Sequence, residues 1–323
     1  MICTYNNAAL LDAVLAAVSS QIVPDGGDWG CLVVDNNCTD ESSEVLQAHM
    51  LAGRIPSLQV IHEPVQGLTK ARLRGVRSTT AEWIAFIDDD CILREDWVAH
   101  ALRFAKAHPT AGAFGGRVVL EWEVAPRAYV KRHGYCFAEQ NHGSDEKTVP
   151  FLVGAGLVLR RSAVEASGWT AGPLLEDRVG TKLISGGDVE IVSRIRGAGY
   201  ELWYTPECEL RHRIPERRTT FRYLLAMTRG LGKSQAYADA LAWEGSLGSW
   251  AFTAGGQVGR ALAGTVPQAA RAVRKRTRAA ELLLRWSFLL GQGVGTLAIV
   301  GRSALHRSPL GQARRGSRAP AHC

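Results

Sequence analysis

The sequence has no CxxC pair and no cysteine–histidine spacing of the kind that ligates zinc, although seven cysteines are scattered along its 323 residues. An odd number of widely spaced cysteines argues against a disulfide-stapled scaffold and for reduced thiols in a cytosolic protein. No signal peptide precedes Tyr5, which leads to the same expectation. Neither a GxGxxG nor a GxxxxGKS loop occurs, so the classical dinucleotide fingerprint and the P-loop nucleotidases find no support. No internal repeat is present. Acids are nearly missing from the C-terminal end: residues 260–323 hold twelve basic side chains against one acid, Glu281, within a chain of net charge +7. The preceding residues are therefore mildly acidic as a group.

What remains reads as a folded α/β chain. A hydrophobic content of 46% and a charged content of 21% suit a globular protein. The length accommodates one large domain with an appendage, or two domains. Short apolar runs at 2–4, 31–34, 58–61 and 83–87 read as buried strands, and helical periodicity fills 10–21, 44–51 and 68–78 between them. Strands alternating with helices predict a parallel sheet with right-handed crossovers. The first strand has about three residues before its polar end, where about five or six are usual. That shortness leads to the expectation that the natural reading frame begins upstream.

The run at 83–87 ends in three consecutive carboxylates, Asp88, Asp89 and Asp90. Open α/β sheets bind ligands beyond the carboxyl ends of their strands. Three acids there repel one another unless they solvate, protonate or take up a cation. An oxygen-rich set suits Mg²⁺ or Mn²⁺, with substrate phosphates completing the coordination. The competing explanation is that these acids cap a helix beginning near Glu95 and Asp96.

The basic C-terminal region contains an apolar stretch at 286–301. Its 16 residues fall short of the roughly 20 needed to span a bilayer comfortably. An interfacial or re-entrant helix fits better, anchored on an anionic membrane surface by Arg271, Arg274, Lys275, Arg276 and Arg278. The alternative is an amphipathic helix packed on the main domain. A nucleic-acid partner is not expected, because no aromatic platform or groove-reading motif accompanies the charge.

Eight segments occur in a telling order: TYNN at 4–7, VVDNNCTD at 33–40, GLTKAR at 67–72, FIDDD at 86–90, GAGLVLR at 154–160, GGDVE at 186–190, GYELWYTP at 199–206 and HRIP at 212–215. Together they resemble the inverting family 2 glycosyltransferases, and the later ones resemble the branch containing the hormogonium polysaccharide glycosyltransferases. The resemblance covers about residues 1–235. It implies a GT-A fold, that is, a Rossmann-like, mostly parallel sheet with flanking helices. Residues 236–323 then form a helical, basic and apolar appendage. It also implies a nucleoside-diphosphate sugar as donor, a glycan or lipid-linked acceptor, a divalent cation (Mn²⁺ or Mg²⁺), and a cytoplasmic enzyme at the inner face of the membrane.

Residue by residue, the resemblance places Asp35 at the nucleoside base, with Thr4 and Tyr5 lining the same pocket and Arg72 approaching the base or diphosphate. Asp88 is expected at the ribose or the metal shell, Asp90 at the cation, and Asp89 on the donor side, where it is the least defined of the three. His212 is expected near the diphosphate or metal, with Arg211, Arg213, Arg217 and Arg218 available to clamp phosphate. Asp188 matches the catalytic base, which takes the acceptor hydroxyl proton. Gly154 and Gly156 are expected where the backbone approaches a sugar. Many relatives carry Glu before the base where this chain has Gly187, so Glu190 is expected to serve the acceptor in its place. Trp169 and Trp203 either stack on sugars or fill the core. Two other functions fit less well: a sugar-nucleotide nucleotidyltransferase, which needs a glycine- and lysine-rich loop after the first strand, and a non-catalytic subunit of a polysaccharide assembly complex.

Overall fold

A computed structural model describes residues 1–24, 26–173, 186–243, 245–265 and 276–305. Arg271, Arg274 and Lys275 of the expected membrane anchor lie outside the described residues. In chain order the elements are β1 (Ile2–Thr4), α1 (Ala8–Ser19), β2 (Leu32–Asp35), α2 (Ser42–Ala52), β3 (Gln59–His62), α3 (Leu68–Arg77), β4 (Trp83–Asp88), β5 (Cys91–Leu93) and α4 (Trp97–Ala107). There follow β6 (Ala111–Gly115), β7 (Val118–Trp122), α5 (Ala128–Lys131), β8 (Lys147–Thr148), β9 (Leu157–Arg160), α6 (Arg161–Ala166) and α7 (Gly187–Gly197). The chain closes with β10 (Glu201–Tyr204), β11 (Leu210–Ile214), α8 (Phe221–Ala242), α9 (Leu247–Ala263) and α10 (Arg276–Leu305).

An eight-stranded sheet runs β3-β2-β1-β4-β9-β6-β10-β8, beside a three-stranded sheet β5-β11-β7. The half of the large sheet from β3 to β4 is parallel, as the βα alternation predicts, whereas β9 runs antiparallel to both β4 and β6. Strand β1 is short but central. Met1 extends its ladder by donating its amine to Ala85 O and accepting from Ile87 N. Leu11, Val14, Leu15 and Val18 of α1 pack at the expected spacing against Ile2, Val33 and Ile87. The acid triplet does not cap a helix. Strand β5 follows it at once, and α4 begins only at Trp97.

The C-terminal region departs from the sequence expectation. Residues 276–305 form one continuous helix of 30 residues rather than a short or re-entrant one, and its segment Ala279–Gly301 is long and apolar enough for a span. One face of α10 packs along α8. A Cβ at Gly291 would collide with the carbonyl oxygen of Arg229, and one at Gly232 with that of Phe288, so the two backbones touch where side chains are absent. The other face leaves Leu283, Leu290, Val294 and Leu297 exposed, the last at 74%. Glu281, the only acid of the basic region, pairs with Arg132 at 2.6 Å and ties α10 to the main body. Gly291→Leu is expected to cost about 1–3 kcal/mol by overpacking and to lower the thermal midpoint by several degrees. Gly293→Ala, where a Cβ meets nothing within 4 Å, is expected to show no loss in the same melt.

Candidate active site

The carboxyl ends of β1 and β4 open into a cleft of about 600 Å³. Its polar wall begins at Asp88, whose partly exposed carboxylate accepts from Arg72 Nη2 at 3.2 Å. Arg72 is itself buried, with its guanidinium over the Phe86 ring. Asp89 is held by Thr4 Oγ1 at 2.8 Å and Asn7 Nδ2 at 2.9 Å. Burial, and next the neighbouring Asp90 charge, push the Asp89 carboxyl up to about 7, against the pull of those two hydrogen bonds.

Asp90 lies deepest, at 3% exposure. The register of β11 on β5 sets Cys91 opposite His212, which brings the imidazole to the adjoining carboxylate. His212 Nδ1 donates to Phe137 O at 2.7 Å, so Nε2 is the nitrogen that faces Asp90 Oδ1, at 3.3 Å. Burial disfavours the imidazolium, but the Asp90 charge outweighs it and the His212 pKa is raised overall. Arg218 Nη1 donates to the other oxygen, Oδ2, at 2.7 Å. Asp90, Cys91 and His212 form a cluster with ligand atoms within 4.8 Å of one another. Burial keeps the Cys91 thiol protonated, and Mg²⁺ and Mn²⁺ favour carboxylate oxygen over sulfur, Mn²⁺ also accepting an imidazole. Asp90 and His212 therefore fit Mn²⁺ or Mg²⁺, with Asp88 at the cleft edge.

Asp188 lines the same cleft from the first turn of α7. The Gly154 N–H donates to its Oδ2 at 3.0 Å. A Cβ on Gly154 would sit 2.7 Å from that oxygen, so glycine here makes room for the carboxylate and not directly for a ligand. Gly156 serves packing: its φ is +73°, and its N–H continues β4 by donating to Phe86 O at 3.0 Å. Gly154→Ala is expected to lower kcat by about 10–100-fold through misplacement of the carboxylate. Donor affinity should hold, measured by titration of the same variant.

Glu190 requires a correction. It is 0% exposed and pairs with Arg194 at 2.6 Å one turn along α7, so its carboxylate faces the core and not the cleft. Helical periodicity makes this unavoidable: with Asp188 toward the cleft, the residue two positions on points about 200° away. Trp169 also belongs to the interior, while Trp203 is half-buried against His108 and Phe104. Asp35 ends β2 as expected, where it accepts from Cys38 N at 2.8 Å, while Thr4, Tyr5 and Asn36 form the adjoining cleft wall. Arg211 and Arg213 pair with Glu121, leaving Arg217 and Arg218 as the two of the four that line the cleft.

The sequence reading missed the opposite wall. Phe137, Phe151 and Val153 face the cleft, joined by Tyr223, Met227 and Leu231 from α8. The last three recur at every fourth residue, which is a helical face, but the same spacing marks any core helix. Asn7 and Asn36 were also passed over. Buried Asn36 accepts from Gly67 N at 2.8 Å and donates to Glu63 O and Val65 O, shaping the loop before α3.

Comparison with known proteins gives a consistent picture. The model of the family described as glycosyl transferase family 2 matches residues 1–168. Glycosyltransferase AglE of Haloferax volcanii is 27% identical over 201 residues, covering 62% of this chain. A glucosyl-dolichyl phosphate glucuronosyltransferase of the same organism is 24% identical over 54% of it. The matched stretches span 61% and 57% of those relatives' own lengths. The mannosyltransferase PcManGT from Pyrobaculum calidifontis, solved in complex with GDP-Man and Mn²⁺, superposes with a TM-score of 0.59 at 18% identity, over 92% of this chain and 85% of its own. That likeness establishes the GT-A fold.

Proposed function

Because the chain belongs to glycosyl transferase family 2, we propose that it moves a sugar from a nucleoside-diphosphate donor to a glycan or lipid-linked acceptor, with inversion at the anomeric carbon. The observation that carries this reading is that Asp188 and the acid triplet with His212 line one cleft. Thr4, Tyr5 and Arg72 hold the nucleotide on the side where β1 and β4 end. Arg217 and Arg218 face its phosphates. Asp90 and His212, with Asp88 beside them, would hold a Mn²⁺ or Mg²⁺ ion, which would offset negative charge on the diphosphate. Asp188 takes the proton of the acceptor hydroxyl as that oxygen forms its bond to the anomeric carbon. The bond to the diphosphate oxygen breaks on the opposite face, and the Gly154 N–H keeps the carboxylate aimed.

The apolar wall favours an acceptor with a greasy portion beside its hydroxyl. Phe137, Met227 and Leu231 on that wall suit the apolar part of a lipid-linked glycan. The exposed stripe on α10, within the basic C-terminal part of the sequence, supports a peripheral seat on the anionic inner face of the cytoplasmic membrane. The chain divides into a transferase unit over 1–235 and a helical unit over 236–323, with α8 shared between them. The complex of the structural neighbour, which holds GDP-Man and Mn²⁺, supports the choice of donor class and cation.

The test is a panel of nucleotide sugars against the full chain with Mn²⁺ or Mg²⁺. One donor at about a hundred times its Kd stabilises the fold by about 2.7 kcal/mol, seen as a thermal shift that EDTA removes. The same donor releases nucleoside diphosphate. A panel that gave neither shift nor release would defeat the proposal.

A further inference from the structure

We propose that Arg218 occupies the cation position of this cleft until a diphosphate arrives, so that metal and nucleotide bind cooperatively and the metal alone binds poorly. The inference rests on the reading of the cleft as a nucleotide-sugar site and adds an order to its filling. Asp90 is the deepest acid and the one that pairs with His212, yet its Oδ2 is already taken by the Arg218 guanidinium at 2.7 Å. The pair is shielded from water, with side-chain exposures of 12% and 4%. A divalent ion drawn to Asp90 and His212 must share that carboxylate with a fixed positive charge, and little solvent lies between them to screen the repulsion.

The two cationic neighbours of Asp90 differ in their freedom. His212 is pinned within β11 by its bond to Phe137 O and by the register with Cys91. Arg218 ends the short turn Glu216–Arg218 that leads into α8, beside the exposed Arg217, and both line the cleft. A planar guanidinium binds phosphate oxygens as readily as carboxylate oxygens, often through two parallel hydrogen bonds. When a diphosphate enters, Arg218 exchanges Asp90 Oδ2 for phosphate oxygens, and the carboxylate is released to the metal. By linkage, whatever the nucleotide gains from the metal the metal gains from the nucleotide.

The experiment counts free Mn²⁺ by electron paramagnetic resonance in titrations of the full chain, alone and with GDP or UDP present. Wild type is expected to bind Mn²⁺ weakly by itself and much more tightly with the matching nucleotide. Arg218→Gln is expected to bind Mn²⁺ alone about 10–100-fold more tightly, the equivalent of one lost charge-assisted competitor, and to lose most of the nucleotide's effect on it. Arg218→Lys, which keeps the charge, should restore the wild-type order. A merely structural role for Arg218 predicts weaker metal binding in the Gln variant, the opposite sign. Equal Mn²⁺ affinity for wild type with and without nucleotide overturns the inference without any variant. If wild type binds Mn²⁺ only with nucleotide but Arg218→Gln behaves identically, this inference fails and the nucleotide-sugar reading stands. If no Mn²⁺ binds under any condition, both fail.

Discussion

Replacing Asp188 by Asn is expected to lower sugar transfer by about 10²–10⁴-fold, the usual worth of a positioned general base, while donor binding and fold persist. Asn is nearly the same size, and its side-chain oxygen can still accept from the Gly154 N–H, which reaches Oδ2 at 3.0 Å in the native chain. What disappears is the lone pair that would receive the acceptor proton. The measurement pairs single-turnover transfer with a donor titration in Mn²⁺. Turnover within a few-fold of wild type would show that another group removes the proton. A loss of donor affinity equal to the loss of rate would instead place Asp188 on the nucleotide side.

Asp90→Asn is expected to act on the opposite half of the reaction. Its carboxylate faces both Arg218 and His212 in a nearly dry site. Removing the negative charge leaves the guanidinium buried with a neutral partner, a change that commonly costs about 3–5 kcal/mol when one member of a buried pair is lost. The thermal midpoint should therefore fall. The proposed metal-dependent part of donor binding should vanish, so that EDTA no longer matters to the variant. Calorimetric titration of the matched nucleotide sugar, with and without Mn²⁺, reads this directly at a temperature below the lowered midpoint. Retention of Mn²⁺-dependent binding would move the cation away from Asp90. Set beside Asp188→Asn, the pair separates charge handling on the donor from proton handling on the acceptor.

The N-terminal half of the fold was legible because its strands read as short apolar runs between helical stretches. The segments around Val33, Val60 and Phe86 were found within a residue or so of their observed bounds. The antiparallel insertion of β9 between β4 and β6 was not legible. Nothing in Leu157, Val158 and Leu159 distinguishes direction, which is fixed by pairing partners far away in the chain. The acid triplet stood out because charge at the end of an apolar strand is costly without a purpose. The partnership of Asp90 with Arg218, 128 residues later, did not, because it depends on the separate β5-β11-β7 sheet. Glu190 was misread for a simpler reason: an acid beside a catalytic candidate invites a shared role, but helix geometry sends it inward to Arg194. The long helix at 276–305 was underestimated because Arg285 and the glycines interrupt its hydropathy. Two of them, Gly291 and Gly295, far from weakening the helix's seat, let it press against α8.

Helix α8 carries one further consequence. Tyr223, Met227 and Leu231 belong to the wall of the cleft, while Gly232 and Ala236 belong to the seam with the C-terminal helix. A single helix thus has the cleft on one flank and the C-terminal helix on the other. Trimming the polypeptide where its composition changes, near residue 235, would leave every acid of the cleft in place and cut that helix short. The smallest fragment worth expressing therefore reaches well past residue 235, so that the seam between α8 and the C-terminal helix stays whole.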